Sequence, residues 1–124
     1  MIKKGVYAAT LSVLDENCSL DIDATIAHAE NIIKEGLHGV FFFGSTGQSQ
    51  LISMAEKKEL VSKLSTNKFK KNFHLGTGCN SLKETIEFIK YSMEYDFQNS
   101  KHQVIQHQMY GCNQMQLISF IHCW

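Results

Sequence analysis

Three apolar segments of strand length recur along this chain at a constant interval. They begin at Gly5, Gly39 and Phe73, so that each onset lies 34 residues after the previous one. Each segment is followed by a stretch with helical periodicity. Strands that alternate with helices in this way predict right-handed βαβ units and a parallel sheet. The middle segment, residues 39–44, contains only apolar residues and glycine, which is typical of a strand that is covered on both faces.

Two α/β architectures begin with this pattern, namely the (β/α)8 TIM barrel and the open doubly wound sheet. The glycine-rich G-x-G-x-x-G motif of dinucleotide-binding sheets does not follow the first segment. Its absence disfavours the dinucleotide-binding version of the open sheet. Both architectures otherwise remain compatible with the spacing.

The helices are predicted from apolar spacing and from their end signals. The first runs from about Asp21 to Glu35, and Gly36 stands where a C-terminal cap belongs. Ser53 and Ser81 each precede a glutamate by three positions, a capping-box pattern that predicts the start of the second and third helices. The expected buried stripes are Leu60, Val61 and Leu64 in the second helix, and Leu82, Ile86, Ile89 and Met93 in the third.

The charge balance excludes several classes of partner. The 124 residues include 12 lysines, no arginine and 12 acidic residues, so neither nucleic acid nor an anionic membrane is expected as a partner. No stretch approaches the ~20 apolar residues of a membrane span, and residues 1–5 lack the apolar core of a signal peptide. We therefore expect a cytoplasmic protein. Lys57, Lys58 and the basic residues 68–71 are expected on solvated surfaces.

The cysteines do not form a metal-binding pattern. They stand at Cys18, Cys79, Cys112 and Cys123, and no two of them form a C-x-x-C pair. We therefore expect free thiols in a reducing compartment, with neither a metal nor another cofactor.

Two turns at the predicted carboxyl ends of strands carry candidate binding groups. In the first, residues 44–47, two hydroxyls lie between glycines, and their O–H and N–H groups could hold a carboxylate or a phosphate. In the second, residues 76–80, Asn80 could contact the same ligand or simply cap a helix. Tyr7 and Thr10 could reach the same rim or pack in the core. The alternative for both turns is a tight βα connection without a ligand.

Several ordered segments together resemble the dihydrodipicolinate synthase / N-acetylneuraminate lyase family of class I aldolases. The resemblance runs from about residue 4 to residue 97. The segments that carry it are Val6-Tyr7-Ala8-Ala9-Thr10, Asp15-Glu16-Asn17, Ser19-Leu20-Asp21, Gly36-Leu37-His38-Gly39-Val40, Gly44-Ser45-Thr46-Gly47, Glu56-Lys57-Lys58-Glu59-Leu60 and Gly76-Thr77-Gly78-Cys79-Asn80-Ser81.

The resemblance implies a (β/α)8 barrel, usually a homotetramer, that forms a Schiff base between a lysine and a 2-oxo acid such as pyruvate. Members then make or break a carbon–carbon bond, or dehydrate a sugar acid. By resemblance, Ser45 belongs to a proton relay with two tyrosines. Thr46 and Gly47, with Gly44 beside them, hold the carboxylate of the oxo acid, and Asn80 is a further possible contact.

The chain also departs from the family pattern. Gln48 replaces the usual acid after the motif, Ser12-Val13 replaces a common Thr-Pro pair, and Cys18 stands where a turn glycine is usual. In the family, the relay tyrosines and the Schiff-base lysine lie on strands four to six. We expect no lysine of this chain to take the place of that lysine.

The composition changes after Asp96. Residues 98–124 contain one lysine, no acid and six glutamines, without a strand–helix rhythm. We expect residues 1–97 to be the amino-terminal part of a barrel domain, with about three βα units, and 98–124 to be a foreign, frame-shifted or disordered tail. Three functions stay open: an inactive portion of a 2-oxo-acid lyase, a small anion-binding module, or a non-functional truncated product.

Overall fold

A computed structural model describes residues 4–97, and these form three successive βα units. The expectations for residues 98–124 lie outside the described residues. Short 3-10 turns at Ser49–Leu51 and Lys70–Asn72 precede the second helix and the third strand. The elements are β1 (Tyr7–Ala9), α1 (Ile22–Lys34), β2 (Gly39–Phe42), α2 (Met54–Leu64), β3 (Phe73–Leu75) and α3 (Leu82–Glu94).

The three strands form one parallel sheet in the order β1-β2-β3, as the spacing predicts. Tyr7 pairs with Gly39, and Val40 pairs with Phe73. Strand β2 ends at Phe42, two residues before the predicted end of the strand. Phe43 adopts a left-handed backbone with φ of 59°, which ends the extended conformation and starts the turn.

The two faces of the sheet carry different side chains. On one face, Val40, Phe42 and Leu75 are buried in a cluster with apolar side chains of all three helices. On the other face, Tyr7 and His74 form an aromatic cluster with Phe41; the ring centroid of His74 lies 5.4 Å from Tyr7 and 4.9 Å from Phe41. Burial lowers the pKa of His74, because a charged imidazolium would lose its hydration there.

The predicted helix ends are confirmed. The Asp21 carboxylate accepts a hydrogen bond from the Ala24 N–H at 2.9 Å, and Gly36 after α1 has φ of 102°. At the start of α2, Ser53 and Glu56 make both hydrogen bonds of a capping box. At the start of α3, the Ser81 hydroxyl accepts from the Glu84 N–H at 3.1 Å.

The predicted buried face of α3 is correct at Ile89 but wrong at the other three positions, because the helix is rotated about its axis relative to the prediction. Leu82 is 49% exposed, and Ile86 and Met93 are only partly buried. Two hydroxyl residues occupy the buried face together with Phe88 and Ile89, namely Thr85 and Ser92. Their hydroxyls donate to backbone carbonyls one turn earlier, at 3.0 Å and 2.7 Å, and this satisfies the polar groups without water.

Within residues 4–97, no helix combines the length and the apolar character that crossing a membrane requires.

Candidate functional site

The turn that follows β2 exposes the two predicted hydroxyl residues. Ser45 and Thr46 are exposed, whereas Gly47 is buried. The turn closes through the Gln48 N–H, which donates to the Ser45 carbonyl at 3.1 Å, and through the Ser49 N–H, which donates to the Gly44 carbonyl at 3.4 Å. Within residues 4–97, no backbone carbonyl accepts from the N–H groups of residues 45–47. Three backbone donors and two hydroxyls are thus grouped at the carboxyl end of a central strand.

The loop after β1 fastens this turn from one side. The Ser12 hydroxyl donates to the Gly47 carbonyl at 2.6 Å. A Cβ atom on Gly47 would lie 3.0 Å from the Thr10 carbonyl oxygen, so a larger residue would push the two loops apart. Thr10 is fully buried and Tyr7 lies in the aromatic cluster. Thr10 is therefore an interior residue, which was one of the two alternatives, whereas Tyr7 is half-buried on the sheet face opposite the main apolar cluster.

The departures in the loop between β1 and α1 are compatible with its backbone. Val13, where a proline is common in the family, uses its N–H to bond the Thr25 hydroxyl at 3.0 Å, a bond that proline could not donate. Cys18 has φ of 61°. This is the left-handed conformation that glycine adopts most easily, as the expectation of a turn glycine at this position requires.

The turn that follows β3 is packed against the end of β2. The Gly76 N–H donates to the Phe42 carbonyl at 2.8 Å. A Cβ atom on Gly76 would lie only 2.7 Å from the Phe43 carbonyl oxygen. Thr77 is completely buried, and the Cys79 N–H donates to the Thr85 hydroxyl at 3.1 Å. Burial raises the pKa of the Cys79 thiol.

A cavity of about 490 Å³ lies between these two turns. Of the predicted site residues, Gly44, Ser45 and Asn80 line it, and Gln48 lies beside them. Thr46 and Gly47 do not belong to its lining. The cavity thus brings together Gly44 and Ser45 of the first turn with Asn80 of the second. Among residues 4–97, no three His, Cys, Asp or Glu side chains converge as metal ligands would.

Lys57 lies inside the protein, so its expected place on a solvated surface is wrong. The side chain projects from α2 toward the turn after β2, and the residue is 4% exposed. Its Nζ donates to the Ser49 hydroxyl at 2.9 Å and lies 4.0 Å from the Cys79 sulfur. The sequence carried a signal for this burial, because position 57 precedes Leu60, Val61 and Leu64 at helical spacing.

The charge of Lys57 is opposed by its surroundings. Burial lowers the pKa of its ammonium, while the nearby Cys79 and Glu84 act in the opposite direction. Lys58, the next residue, behaves as expected of a surface side chain and pairs with Glu87. The two adjacent lysines therefore have different environments.

Comparison with known proteins identifies the family. A family model described as the dihydrodipicolinate synthetase family matches residues 3–102. The chain belongs to this family. Among curated relatives, a 4-hydroxy-tetrahydrodipicolinate synthase of Leptospira biflexa is 38% identical over 85 residues, covering 68% of this chain and 29% of the relative. A 4-hydroxy-tetrahydrodipicolinate synthase of Methanococcus maripaludis is 32% identical over 90 residues, covering 72% and 31%.

Solved structures of the family share the fold. A dihydrodipicolinate synthase of Bacillus anthracis superposes with a TM-score of 0.69 at 22% identity, covering 98% of this chain and 44% of that one. A prophage protein of the family from Escherichia coli K12, in complex with pyruvate, gives 0.66 at 19% identity, covering 94% and 41%. The expected family and TIM-barrel fold class are confirmed, and the three described units match the first βα units of the barrel.

The chain spans between 29% and 31% of the length of these curated relatives.

Proposed function

We propose that the turn after β2 binds the carboxylate of a small 2-oxo acid such as pyruvate. The observation that carries this proposal is the group of three backbone N–H donors on Ser45, Thr46 and Gly47, for which residues 4–97 offer no backbone acceptor. Such a group of amides is suited to an anion. The family supplies the ligand class, because the prophage relative was solved with pyruvate.

In this proposal each residue of the turn has a role. The amides of Thr46 and Gly47, with the Thr46 hydroxyl, hold the carboxylate, and Gly44 keeps the approach open. A Cβ atom on Gly44 would meet no other atom within 4 Å. Ser45 is the first member of a proton relay, and Asn80 is a further contact across the cavity.

The complete reaction of a Schiff-base lyase requires a nucleophilic lysine. Its neutral amine attacks the keto carbon and water leaves, which gives a protonated imine. On cleavage this imine accepts the electron pair of the breaking carbon–carbon bond; on bond formation it first loses a proton to become an enamine, whose electron pair forms the new bond. We propose that the 124-residue chain binds the oxo acid but does not carry out this step. Lys57, the most buried lysine among residues 4–97, donates its ammonium hydrogen bond to Ser49. A cytoplasmic location belongs to the same proposal.

A binding titration tests the first part of the proposal. Pyruvate added to the full chain should shift the amide resonances of residues 45–47, and T46V should weaken binding about tenfold because it removes a hydrogen bond to a charged group. T66V is the matched control, since Thr66 is exposed but lies in the loop after α2. If T66V weakens binding as much as T46V, or if the turn amides do not shift, the assignment of the site is wrong.

A trapping experiment tests the second part. Borohydride added together with pyruvate should leave no reduced imine on any lysine of this chain. Mass mapping of an adduct, above all on Lys57, would show that the chain forms the imine and would overturn the proposed inactivity.

A small anion-binding module is the second candidate, because residues of both turns line one cavity. Inorganic phosphate distinguishes the two. If phosphate shifts the turn amides as strongly as pyruvate does, the site recognises anions in general. If neither anion binds, the third possibility, a non-functional product, is favoured.

A further inference from the structure

We propose that Lys57 is a positioning residue that holds the Gly44–Gly47 turn in shape from inside the protein. The proposal rests on the proposed function only for its effect on pyruvate binding. Its effect on the turn itself is independent of any ligand.

The Lys57 ammonium contacts the residues on both sides of this turn. Its Nζ lies 5.8 Å from the ring centroid of Phe43, the residue immediately before Gly44, within the range of a cation–π interaction. On the other side, it donates to the hydroxyl of Ser49 at 2.9 Å. One ammonium group from α2 therefore contacts a residue before the turn and a residue after it.

Ser49 transmits this contact to the backbone of the turn. Its N–H donates to the Gly44 carbonyl at 3.4 Å, and its carbonyl accepts from the Ile52 N–H at 3.3 Å. The residue is 7% exposed, so its hydroxyl depends on a protein partner. By fixing the Ser49 side chain, Lys57 therefore also stabilises the hydrogen bond from the Ser49 N–H to the Gly44 carbonyl, which closes the turn.

The backbone preferences of its residues do not explain the shape of the turn. Phe43 and Gln48 both have left-handed backbones, with φ of 59° and 49°, a conformation that costs energy for residues other than glycine. Such strain persists only where the surroundings impose it. A buried, charge-assisted hydrogen bond is among the stronger interactions that can do so.

Amide hydrogen exchange of the full chain, followed by NMR, tests the proposal without a ligand. K57M keeps most of the apolar stem but removes the ammonium, and it should speed exchange of the Gln48 and Ser49 amides by about tenfold, the effect of losing a charged hydrogen bond. Exchange within α2 should stay unchanged. K58M is the matched control, because it removes a neighbouring ammonium that pairs with Glu87 at the surface.

S49A removes the other partner and serves as a second variant if K57M disturbs folding. It should speed exchange of the Gln48 amide in the same way, and the double variant should add little, because both changes remove one interaction. Equal effects of K57M and K58M, a uniform increase over the whole chain, or additive effects in the double variant would overturn the proposal.

Pyruvate affinity separates this proposal from the proposed function. If the wild-type chain binds pyruvate, K57M should weaken binding severalfold while K58M does not, and unchanged affinity in K57M would count against the positioning role. If the wild-type chain does not bind pyruvate, the proposed function fails, and the exchange data still decide the role of Lys57.

Discussion

The turns after β2 and β3 occupy equivalent places in consecutive βα units, but they are held in different ways. The turn after β3 is closed by direct backbone approach, since Gly76 lies against the Phe43 carbonyl and Thr77 is completely buried. The turn after β2 is closed by its own backbone bonds and is also contacted by side chains, from Ser12 on one side and from Lys57 through Ser49 on the other.

This difference separates a closely packed turn from one whose backbone donors have no backbone acceptor. Backbone packing in the turn after β3 uses up the space beside Gly76, and the Cys79 N–H is bonded to the Thr85 hydroxyl. Side-chain fastening in the turn after β2 leaves the N–H groups of residues 45–47 without a backbone acceptor in residues 4–97. The first arrangement favours rigidity, and the second is the kind of donor group that the proposed anion site requires.

The largest expected effect comes from adding a methyl group to each turn. G76A should destabilise the protein by about 3 kcal/mol, because its Cβ would overlap backbone atoms that have little freedom to move. G44A is the matched control and should change stability by less than about 0.5 kcal/mol, as the space around Gly44 is open. Urea denaturation measures both. If G44A costs as much as G76A, the two turns do not differ in packing.

The buried cation beneath the turn after β2 should give stability a pH dependence. Because burial lowers the pKa of Lys57, the unfolded chain holds this proton more tightly than the folded chain. The stability of the wild type should therefore rise relative to K57M as the pH increases from 7 toward the ordinary lysine value of 10.5.

Urea denaturation at several pH values measures this difference, and K58M should show no such rise relative to the wild type. A wild-type stability that falls relative to that of K57M as the pH rises would contradict the assignment of a buried cation.

The helices behind the two turns differ at their N-termini. S53A should cost about 1.5 kcal/mol, because it breaks a capping box whose Glu56 also accepts from the Leu20 N–H at 2.9 Å. S81A should cost about 1 kcal/mol, the usual value for loss of one cap. Thermal unfolding of the two variants compares them directly. A greater loss for S81A would show that the start of α3 is the more critical one.

The smallest effect is expected from relieving strain beside the candidate site. Q48G should stabilise the protein by about 0.5 kcal/mol, since glycine adopts the left-handed backbone of Gln48 without steric cost but loses more entropy on folding. Q50G, two residues later, should destabilise it by a similar amount. The denaturation midpoints of the two variants should move in opposite directions. Movement in the same direction would mean that strain at Gln48 is negligible.

Much of the fold could be predicted from local patterns. The 34-residue interval anticipated the three parallel strands, and the serine–glutamate spacings located the starts of α2 and α3. These features depend on nearest-neighbour geometry and on hydrogen bonds within a few residues, which the order of residues specifies directly. The end of β2 was predicted two residues too late, because an apolar run of residues gives no sign that Phe43 adopts a left-handed backbone.

The two clearest errors have a common cause. Thr85 and Ser92 are polar yet buried, and Lys57 is charged yet buried. Their residue types assign them to the solvent, because a polar or charged side chain is expected inside a protein only where partners satisfy it, and those partners cannot be recognised from the residue type. Those partners come from a preceding helical turn for the hydroxyls and from a separate loop for the lysine.

The order of residues by itself determined the βα repeat, the helix caps and the position of the Gly44–Gly47 turn at the end of a central strand. The tertiary structure alone decided which side chains reach that turn, how Gly76 meets the end of β2, and where the Lys57 ammonium lies. The reason is physical: local signals arise from contacts within about one turn of chain, whereas Ser12 and Gly47, or Lys57 and Cys79, meet only after the units have packed side by side.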